Sequence, residues 1–473
     1  MGLTLAIDFG STFTKVVAID LDKEDLVGVA QAASTVDTDI TIGLHAALRR
    51  LQTLIGVERF NTDRILSCSS AAGGLRIVVA GLVSELTTKA AKEAALGAGA
   101  KVVGIYSYGL SPDEVKCVEQ IAPDLILLTG GTDGGNEQII IHNAAVLAAS
   151  QLNAPMIVAG NKMATHKAQA LLEAAGKYTV RTENVLPELN RLNVEPTRAA
   201  IRDIFMQRIT HAKGLDKAQA FAGHIIMPTP MAVLRGASLL ASGVGDEKGL
   251  GELIVVDVGG ATTDVYSIAH GHPSHQDIIV KGLPEPYEKR TVEGDLGIRY
   301  NAQAILDIAG SETITEKMRL VTRFVPQRVK LEMAVKYLSN HIDAVPQDEE
   351  DFLIDIGLAS TAVDIASRRH AGRVEESYFP SGKVRIQYGK DLTGIKCVIG
   401  TGGIFAYGQE PHWILKAACY NESNPESFRP IAPEFFVDER YILYAVGLLA
   451  EVSAVKAVKI IKKHLRRVNN MAS

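Results

Sequence analysis

Asp257-Val258-Gly259-Gly260-Ala261-Thr262-Thr263-Asp264 is the stretch that decides the fold of this chain. It follows an apolar run, Leu253–Val256, and leads into a second one, Val265–Ile268. Two apolar runs joined by a short turn of small residues are typical of a β-hairpin. The stretch therefore predicts a hairpin with a tight, glycine-rich turn and an aspartate at each end of it.

A second stretch of the same kind lies near the start of the sequence. Asp8-Phe9-Gly10-Ser11-Thr12-Phe13-Thr14-Lys15 follows the apolar run Leu3–Ile7 and precedes Val16–Ile19. Glycine allows the backbone to approach a ligand closely, and the successive N–H groups of a tight turn can form an anion-binding nest. Two such hairpins, each led by an aspartate, predict a clamp on the phosphates of a nucleotide and on its Mg²⁺.

The polar side chains of these hairpins indicate phosphoryl chemistry. Lys15 would neutralise charge on a β- or γ-phosphate, and Asp8 and Asp257 would hold Mg²⁺ through water. Asp264 would orient or deprotonate the attacking water. The other residues expected to contact the nucleotide are Gly10, Ser11, Thr12, Thr14, Gly259, Gly260, Ala261, Thr262 and Thr263. A plain β-turn or a glycine-rich bulge with surface aspartates is the structural alternative.

A third glycine-rich stretch, Val398-Ile399-Gly400-Thr401-Gly402-Gly403-Ile404-Phe405, lies near the C-terminal end of the sequence. A strand that runs into such a turn before a helix lets backbone lie against a purine and its ribose. Gly400, Thr401, Gly402 and Gly403 are therefore expected at the adenosine.

The order of these parts resembles the layout of the actin-like ATPase superfamily, which includes sugar kinases, heat-shock-70 chaperones and actin. In this layout the first phosphate hairpin would be residues 8–15, the crossing helix 230–242 and the second hairpin 257–264. The adenosine turn would be 400–405 and the closing helix 440–450. Ala261 stands where the chaperone motif usually has a third glycine. The resemblance implies an α/β fold with two ribonuclease-H-like lobes, and ATP or ADP with Mg²⁺ as ligands.

Residues 75–181 have a different pattern from the rest. Apolar runs alternate with helical patterns, and this alternation is typical of βαβ units and a parallel sheet. The expected strands are Leu75–Ala80, Lys101–Ile105, Leu125–Leu128 and Met156–Val158, and the expected helices are 84–98, 112–121, 136–152 and 162–175. A further helical stretch is expected at 183–216. We therefore expect an inserted flavodoxin-like, doubly wound domain.

The predicted domain organisation has five segments. The first lobe would comprise 1–74 and 183–248, the insert 75–182, the second lobe 249–437, and a C-terminal helix returning to the first lobe 438–473. Within that last segment, the basic run Lys456–Arg467 is expected to be a solvated amphipathic helix.

Composition and charge exclude several classes of function. The formal net charge of the 473 residues is −5, which gives no basic footprint for nucleic acid. The cysteines Cys68, Cys117, Cys397 and Cys419 form no closely spaced pair, so we expect free thiols in a reducing cytosol. No signal-peptide pattern and no apolar run of the ~18 residues needed to span a bilayer are present. A cytoplasmic protein without a membrane partner is expected, and a homo-oligomer stays open.

A closer resemblance covers nearly the whole chain. Its motifs are Leu127-Leu-Thr-Gly-Gly-Thr-Asp-Gly-Gly-Asn136, Pro228-Thr-Pro-Met-Ala-Val233, Thr291-Val-Glu-Gly-Asp-Leu-Gly297 and Arg369-His370-Ala371-Gly372. Together they resemble the glutamate-mutase accessory family of the GlmL/MutL type, which is unrelated to the mismatch-repair protein of similar name. The resemblance implies an ATP-driven reactivase for an adenosylcobalamin-dependent mutase, such as glutamate (methylaspartate) mutase or an aminomutase. It would help to eject damaged cobalamin.

The insert itself resembles the small cobalamin-binding domain of such mutases. That domain carries a D-x-H-x-x-G loop whose histidine ligates cobalt, but Ala80–Ala91 contains no histidine. One hypothesis is a mimic that docks where the small domain of the mutase docks. A generic flavodoxin-like insert is the alternative, and both stay open.

Several motif residues have two interpretations. The loop Gly130–Gly135 would be a ligand loop at the carboxyl end of a strand or a flexible connection. Glu293 and Asp295 would contact the nucleotide or a hinge, or form an acidic first helical turn. For His370 we expect a helix C-terminal cap.

Three other functions stay open. A small-molecule kinase needs a base opposite the γ-phosphate. The activator ATPase of radical 2-hydroxyacyl-CoA dehydratases has a similar first loop, but it holds an iron–sulfur cluster on closely placed cysteines that are not evident here. A filament-forming actin relative would be an assembly protein.

Overall fold

The chain has a mixed α/β fold that divides into two compact units. The computed structural model describes residues 3–35, 38–70, 75–206, 221, 225–275, 277–323, 325–379 and 382–468. The first unit comprises Met1–Cys68, Ala232–Val280 and Arg290–Ser473, and the second comprises Ser69–Met231 and Lys281–Lys289.

The strands and helices of the described residues are numbered in chain order. The strands are β1 Leu3–Phe9, β2 Phe13–Asp20, β3 Asp25–Ala33, β4 Thr62–Ser69, β5 Arg76–Gly81, β6 Lys101–Ser107, β7 Leu125–Leu128, β8 Met156–Val158, β9 Thr179–Arg181, β10 Ile225–Pro228, β11 Gly243–Val244, β12 Glu247–Lys248, β13 Leu253–Val258, β14 Thr263–Ile268, β15 Ile278–Lys281, β16 Glu288–Glu293, β17 Arg373–Phe379, β18 Gly382–Tyr388, β19 Cys397–Thr401, β20 Glu434–Asp438 and β21 Leu465–Val468. The α-helices are α1 Ile40–Ile55, α2 Lys89–Gly97, α3 Pro112–Ile121, α4 Gln138–Ala148, α5 Thr165–Ala174, α6 Glu195–Ile204, α7 Thr229–Ser242, α8 Ala302–Arg319, α9 Arg328–Asn340, α10 Glu349–His370, α11 Gly403–Tyr407, α12 Pro411–Lys416 and α13 Leu443–His464. A π-helical turn, Ser84–Thr88, precedes α2.

The first sheet of the first unit is built around the N-terminal hairpin. Its strands lie in the order β4-β1-β2-β3, and β2 is antiparallel to both of its neighbours, β1 and β3. Nearly every residue of β1 and β2 is buried, because α1 covers one face of the hairpin and α13 contacts β1. Asp39 caps the start of α1 by accepting a hydrogen bond from the N–H of Thr41.

The second sheet of the first unit has the strand order β16-β14-β13-β19-β20-β21. β13 and β14 form an antiparallel hairpin, and β13, β19 and β20 are parallel. The long helix α10 packs against β13 and β14, and most of its residues are buried. The sheet and its helices therefore form one hydrophobic core behind the second hairpin.

Two glycines allow α7 and α13 to cross closely. A Cβ added to Gly447 would lie 1.9 Å from the carbonyl oxygen of Ala232, and one added to Gly236 would lie 2.5 Å from that of Leu443. Beyond this crossing, α13 departs from helical geometry at Ser453 and ends in β21, which pairs with β20.

The second unit contains a parallel five-stranded sheet in the order β6-β5-β7-β8-β9. Its strands are short and apolar, and α3, α4 and α5 contribute to the core that covers them. The predicted strands and helices between 75 and 175 are therefore confirmed, with β9 as an additional strand. Within the helical stretch predicted at 183–216, the structure has α6 at Glu195–Ile204. Residues 207–216 lie outside the described part of the chain.

The loop after β7 is held by side chains at both ends. Asn161 accepts from the N–H of Gly134 at 3.2 Å and donates to the carbonyl of Gly135 at 3.1 Å. Asn184 donates to Asp133 Oδ1 at 3.0 Å. These bonds connect the loop to the segments around Asn161 and Asn184.

Two local predictions differ from the structure. Glu293 ends β16 and α8 begins only at Ala302, so Glu293 and Asp295 are not in a first helical turn. They instead bind Arg369, which lies at the end of α10. The basic C-terminal run is not simply solvated, because Lys456 and Lys463 donate to backbone carbonyls of the β2–β3 turn.

All four cysteines are free thiols, as expected, and only Cys117 is exposed. Among the described residues, no helix combines the length and the apolar character that crossing a membrane requires.

Candidate functional site

The first hairpin carries a buried ion pair. Asp8 and Lys15 are opposite each other in the β1–β2 register, and Lys15 Nζ lies 2.7 Å from Asp8 Oδ2. Asp8 is 1% exposed and Lys15 9%. Between them the turn is closed by a bond from the N–H of Gly10 to the carbonyl of Phe13.

Aromatic rings surround the ammonium group of Lys15. Its Nζ lies 3.9 Å from the ring centroid of Tyr441 and 5.6 Å from that of Tyr444, a cation–π arrangement. Burial alone would lower the pKa of Lys15, but the Asp8 carboxylate and the two tyrosines outweigh it, so the pKa is raised. Lys15 is therefore a fixed positive charge under the first turn.

The second hairpin repeats this geometry with a carboxylate in place of the lysine. Asp257 and Asp264 are opposite each other in the β13–β14 register. The carbonyls of its turn face the segment that precedes α8: Gly259 accepts from Ile298 N–H and Gly260 from Arg299 N–H. Because N–H and C=O of one peptide point in opposite directions, the turn N–H groups face away from that segment.

The N–H groups of both turns are available for a ligand. Within the described part of the chain, the main-chain N–H groups of Ser11 and Thr12 donate to no protein group. The same holds for those of Gly260, Ala261 and Thr262. Such groups are of the kind that can form an anion-binding nest, and the nest itself stays a prediction.

The three glycine-rich stretches meet within the first unit. A Cβ placed on Gly260 would lie 3.2 Å from Thr12 Oγ1, so the two hairpin turns face each other. A Cβ placed on Gly402 would lie 3.0 Å from Asp257 Oδ1 and 2.5 Å from the carbonyl oxygen of Val258. Gly402 has φ +107°, a conformation that favours glycine.

Asp257 has the electrostatics of a general base. Its withdrawal from water and the negative charge of Asp264 raise the pKa of the half-buried Asp257 to about 7. Asp8 adds to this rise and Lys15 opposes it, which means that the charged groups of both hairpins act on one carboxyl. A carboxyl with a pKa near neutrality is suited to accept a proton at physiological pH.

Asp264 has partners that Asp257 lacks. Arg290 on β16 donates to Asp264 Oδ1 from Nε at 2.8 Å and from Nη2 at 2.6 Å. The hydroxyl of Thr262 donates to Asp264 Oδ2 at 3.0 Å. Asp264 is therefore held in one orientation, while no hydrogen bond or ion pair of the Asp257 side chain occurs within the described residues.

Three of the predicted contact residues use their side chains elsewhere. Thr14 lies on the face of the hairpin that α1 covers, next to Gly43. Thr263 is fully buried and its hydroxyl donates to the carbonyl of Leu296 at 2.6 Å. Thr401 is also fully buried, and its hydroxyl donates to Asp438 at 2.9 Å. The hydroxyls of Thr263 and Thr401 are therefore occupied by protein partners.

The carboxylates of the site suit a metal held through water. Among the described residues, no group of three or more His, Cys, Asp or Glu side chains is arranged to bind a metal directly. Mg²⁺ keeps much of its hydration shell, and one or two carboxylates suffice to hold it. Asp8 and Asp257 are oxygen donors of the kind that Mg²⁺ prefers.

Sequence reasoning missed Arg290, Asp438 and Tyr441. Asp438 had a readable signal, because it precedes a helix and accepts from the N–H groups of Ile442 and Leu443 at 3.0 and 2.8 Å. Arg290 and Tyr441 had no such signal in the sequence, because long-range packing alone brings them to the hairpins.

Comparisons with solved structures give distant likenesses. Xylulose kinase from Bifidobacterium adolescentis is 12% identical, with 97% of this chain and 93% of that chain covered and a TM-score of 0.31. Glycerol kinase from Plasmodium falciparum with ADP is 10% identical, with 97% and 92% covered and a TM-score of 0.33. Scores this low carry no argument about fold or function.

Comparison with characterised sequences gives a clear result. Protein MutL of Clostridium tetanomorphum is 45% identical over 468 residues, which cover 99% of this chain and all of that protein. A family model described as MutL protein matches residues 4–465. The chain belongs to the MutL protein family, the glutamate-mutase accessory family that its motifs resemble.

Proposed function

We propose that the first unit binds Mg-ATP between its two hairpins and hydrolyses it, and that the protein uses this reaction to reactivate an adenosylcobalamin-dependent mutase. The observation that carries the proposal is the pair of facing turns. Their N–H groups donate to no described protein group, and carboxylates lie at the strand ends beside them. This is the arrangement that triphosphate and Mg²⁺ require.

Each residue has a defined part in the reaction. The turn N–H groups of residues 11–12 and 260–262 bind phosphate oxygens, and Lys15 supplies a fixed positive charge beneath the first turn. Asp8 and Asp257 would hold Mg²⁺ through water, and the bound ion would supply charge neutralisation at the phosphates. Asp257 accepts the proton of the attacking water, and Asp264 orients that water from its fixed position. Gly400–Gly403 line the adenosine.

Hydrolysis changes what the two hairpins contact. ATP contacts both turns through its terminal phosphate. ADP lacks that phosphate and therefore makes fewer contacts that connect the two turns. A ligand shifts a conformational equilibrium only by its differential affinity for the two states, so the work available comes from this difference. The first unit then acts as a two-lobed actin-like ATPase.

The client is a cobalamin-dependent mutase. Membership of the MutL family supports an accessory role, and glutamate (methylaspartate) mutase or an aminomutase fits the motifs. The second unit is the flavodoxin-like insert: its strand order β6-β5-β7-β8-β9 is the 2-1-3-4-5 order of doubly wound sheets, which supports this assignment.

Phosphate release from ATP tests the proposal. The purified protein should hydrolyse ATP in the presence of Mg²⁺, faster when a mutase loaded with inactive cobalamin is added. Asp8→Ala and Asp264→Ala should each lower turnover by about 100-fold or more. Asp307→Asn, on the exposed side of α8, is the control and should leave turnover unchanged. Wild-type turnover in either of the first two variants would refute the site.

A further inference from the structure

β16 joins the two units at a position where charged side chains are held on both sides. The chain passes from the second unit to the first between Lys289 and Arg290, which are successive residues of this strand. Successive side chains of a strand point to opposite faces. The side chains of Lys289 and Arg290 therefore lie in different surroundings, although the two residues are adjacent in the chain.

The second unit holds the start of β16 through a buried charge cluster. Lys289 is 5% exposed, and its Nζ lies 2.6 Å from Glu285 Oε2. Lys89 at the start of α2 lies 3.4 Å from the same carboxylate. Glu93, one turn along α2, is buried and interacts with both Lys289 and Glu285. Arg198 adds a bond from Nη2 to the carbonyl of the preceding residue of β16.

The first unit holds the rest of β16 against the second hairpin and the end of α10. Arg290 is 3% exposed and binds Asp264 through two nitrogens. The next residue, Thr291, shares a 2.8 Å hydrogen bond with His370 Nδ1. Glu293 lies 2.5 Å from Arg369. Two of the family-like motifs are therefore in contact with each other on this strand.

Asp264 connects this strand to the turn that would meet phosphate. Its Oδ2 accepts from Thr262, whose N–H is one of the nest donors, and its Oδ1 accepts from Arg290. A phosphate at the turn competes for the Thr262 hydroxyl and brings negative charge close to the Asp264–Arg290 pair. β16 is the edge strand of its sheet, so only β14 opposes its displacement through ladder hydrogen bonds.

We infer that β16 transmits the occupancy of the nucleotide site to the second unit, with Arg290 positioning Asp264 and Lys289 anchoring the strand in the charge cluster of Glu285 and Glu93. The inference rests on the proposed function, because it needs a phosphate at the second hairpin. A shift of Arg290 moves Lys289 directly, and the buried cluster must rearrange in response. The second unit thereby differs between the ATP and ADP states.

Hydrogen–deuterium exchange of the full-length protein tests this coupling. With Mg-ATP against Mg-ADP, wild type should show different exchange in peptides that cover 89–97 and 281–289. Lys289→Met should lose this difference while its ATP dissociation constant changes by less than about threefold. Lys317→Met is the matched control, because it removes a lysine paired with Asp364 on α10, away from β16, and the difference should remain.

The role of Arg290 has its own readout. Arg290→Gln should lower kcat for ATP by at least about tenfold while KM changes by less than about threefold, because Asp264 loses the two nitrogens that hold it in one orientation. Arg290→Lys, which keeps the charge, should recover part of the loss, whereas a purely structural arginine would lower stability without this split between kcat and KM.

The outcomes separate the two proposals. Wild type that does not bind ATP overturns the proposed function and this inference with it. Wild type that binds ATP without any change of exchange in 89–97 and 281–289 overturns the coupling alone. A full ATP–ADP difference in Lys289→Met, or an unchanged kcat in Arg290→Gln, also overturns it.

Discussion

Asp257 and Asp264 occupy opposite positions in one hairpin, but their surroundings give them different chemistry. Asp264 is fixed by Arg290 and Thr262, whereas burial and the charge of Asp264 raise the pKa of Asp257 to about 7. Two carboxyls whose environments separate their behaviour are a recurring basis of acid–base chemistry. The sequence predicts the pair, but the buried arginine that distinguishes its members comes from a distant strand.

The raised pKa of Asp257 predicts a stability cost in the nucleotide-free protein. The folded state binds a proton more tightly than the unfolded state, so stability falls as pH rises from about 4 to about 7 and is constant above. Asp257→Asn removes this titration. At pH 8 the variant should be more stable by about 2 kcal/mol, a value discounted for water at a half-buried side chain.

Thermal unfolding of wild type and Asp257→Asn at several pH values measures this gain. The difference in Tm should grow between pH 4 and pH 7, and ATP turnover of the variant should be lost. A variant that is no more stable than wild type at pH 8 would show that ionisation of Asp257 does not destabilise the folded protein.

Gly402 and Gly394 allow a paired test of the adenosine turn. Alanine at 402 would require φ +107° and a Cβ 2.5 Å from a carbonyl oxygen, whereas a Cβ at 394, outside the turn, meets nothing within 4 Å. Gly402→Ala should cost about 2 kcal/mol of stability and weaken ATP binding. Gly394→Ala is the control and should bind ATP like wild type. Equal affinities measured by calorimetry for the two variants would remove Gly402 from the site.

At the scale of secondary-structure elements, the close crossing of α7 and α13 depends on glycine. Gly447→Ala would place its Cβ 1.9 Å from the carbonyl oxygen of Ala232, so the helices must separate. Overpacking of this kind should cost about 3 kcal/mol, measured by urea unfolding. Val455→Ala, farther along α13, is the control and should cost less than about 1 kcal/mol. A loss of less than about 1 kcal/mol for Gly447→Ala would mean that the two helices are not closely packed at the crossing.

Elements with local signals were predictable, and those set by distant partners were not. The strands and helices between 75 and 175 follow from apolar runs and helical periodicity, and both hairpins from their turns. β21 was missed, because Leu465–Val468 becomes a strand only by pairing with β20. The first turn of α8 was misplaced, because residues 298–301 hydrogen-bond to the hairpin turn instead.

For the whole molecule, the sequence carries three glycine-rich motifs, and the structure brings them together within one unit. Family membership adds the accessory role. Arg290 lies 26 residues from Asp264, the carboxylate that it binds. Pattern alone therefore could not identify Arg290, because burial of charge depends on the completed fold, whereas Asp438 precedes a helix and had a local signal.

The most direct test of the account is the release of damaged cobalamin from a glutamate-mutase-type enzyme, followed in the same tube as ATP hydrolysis. The account predicts release with wild type and Mg-ATP, and none with ADP or with Asp257→Asn. Release that proceeds equally well without ATP, or hydrolysis stimulated by the mutase with no release, would contradict it.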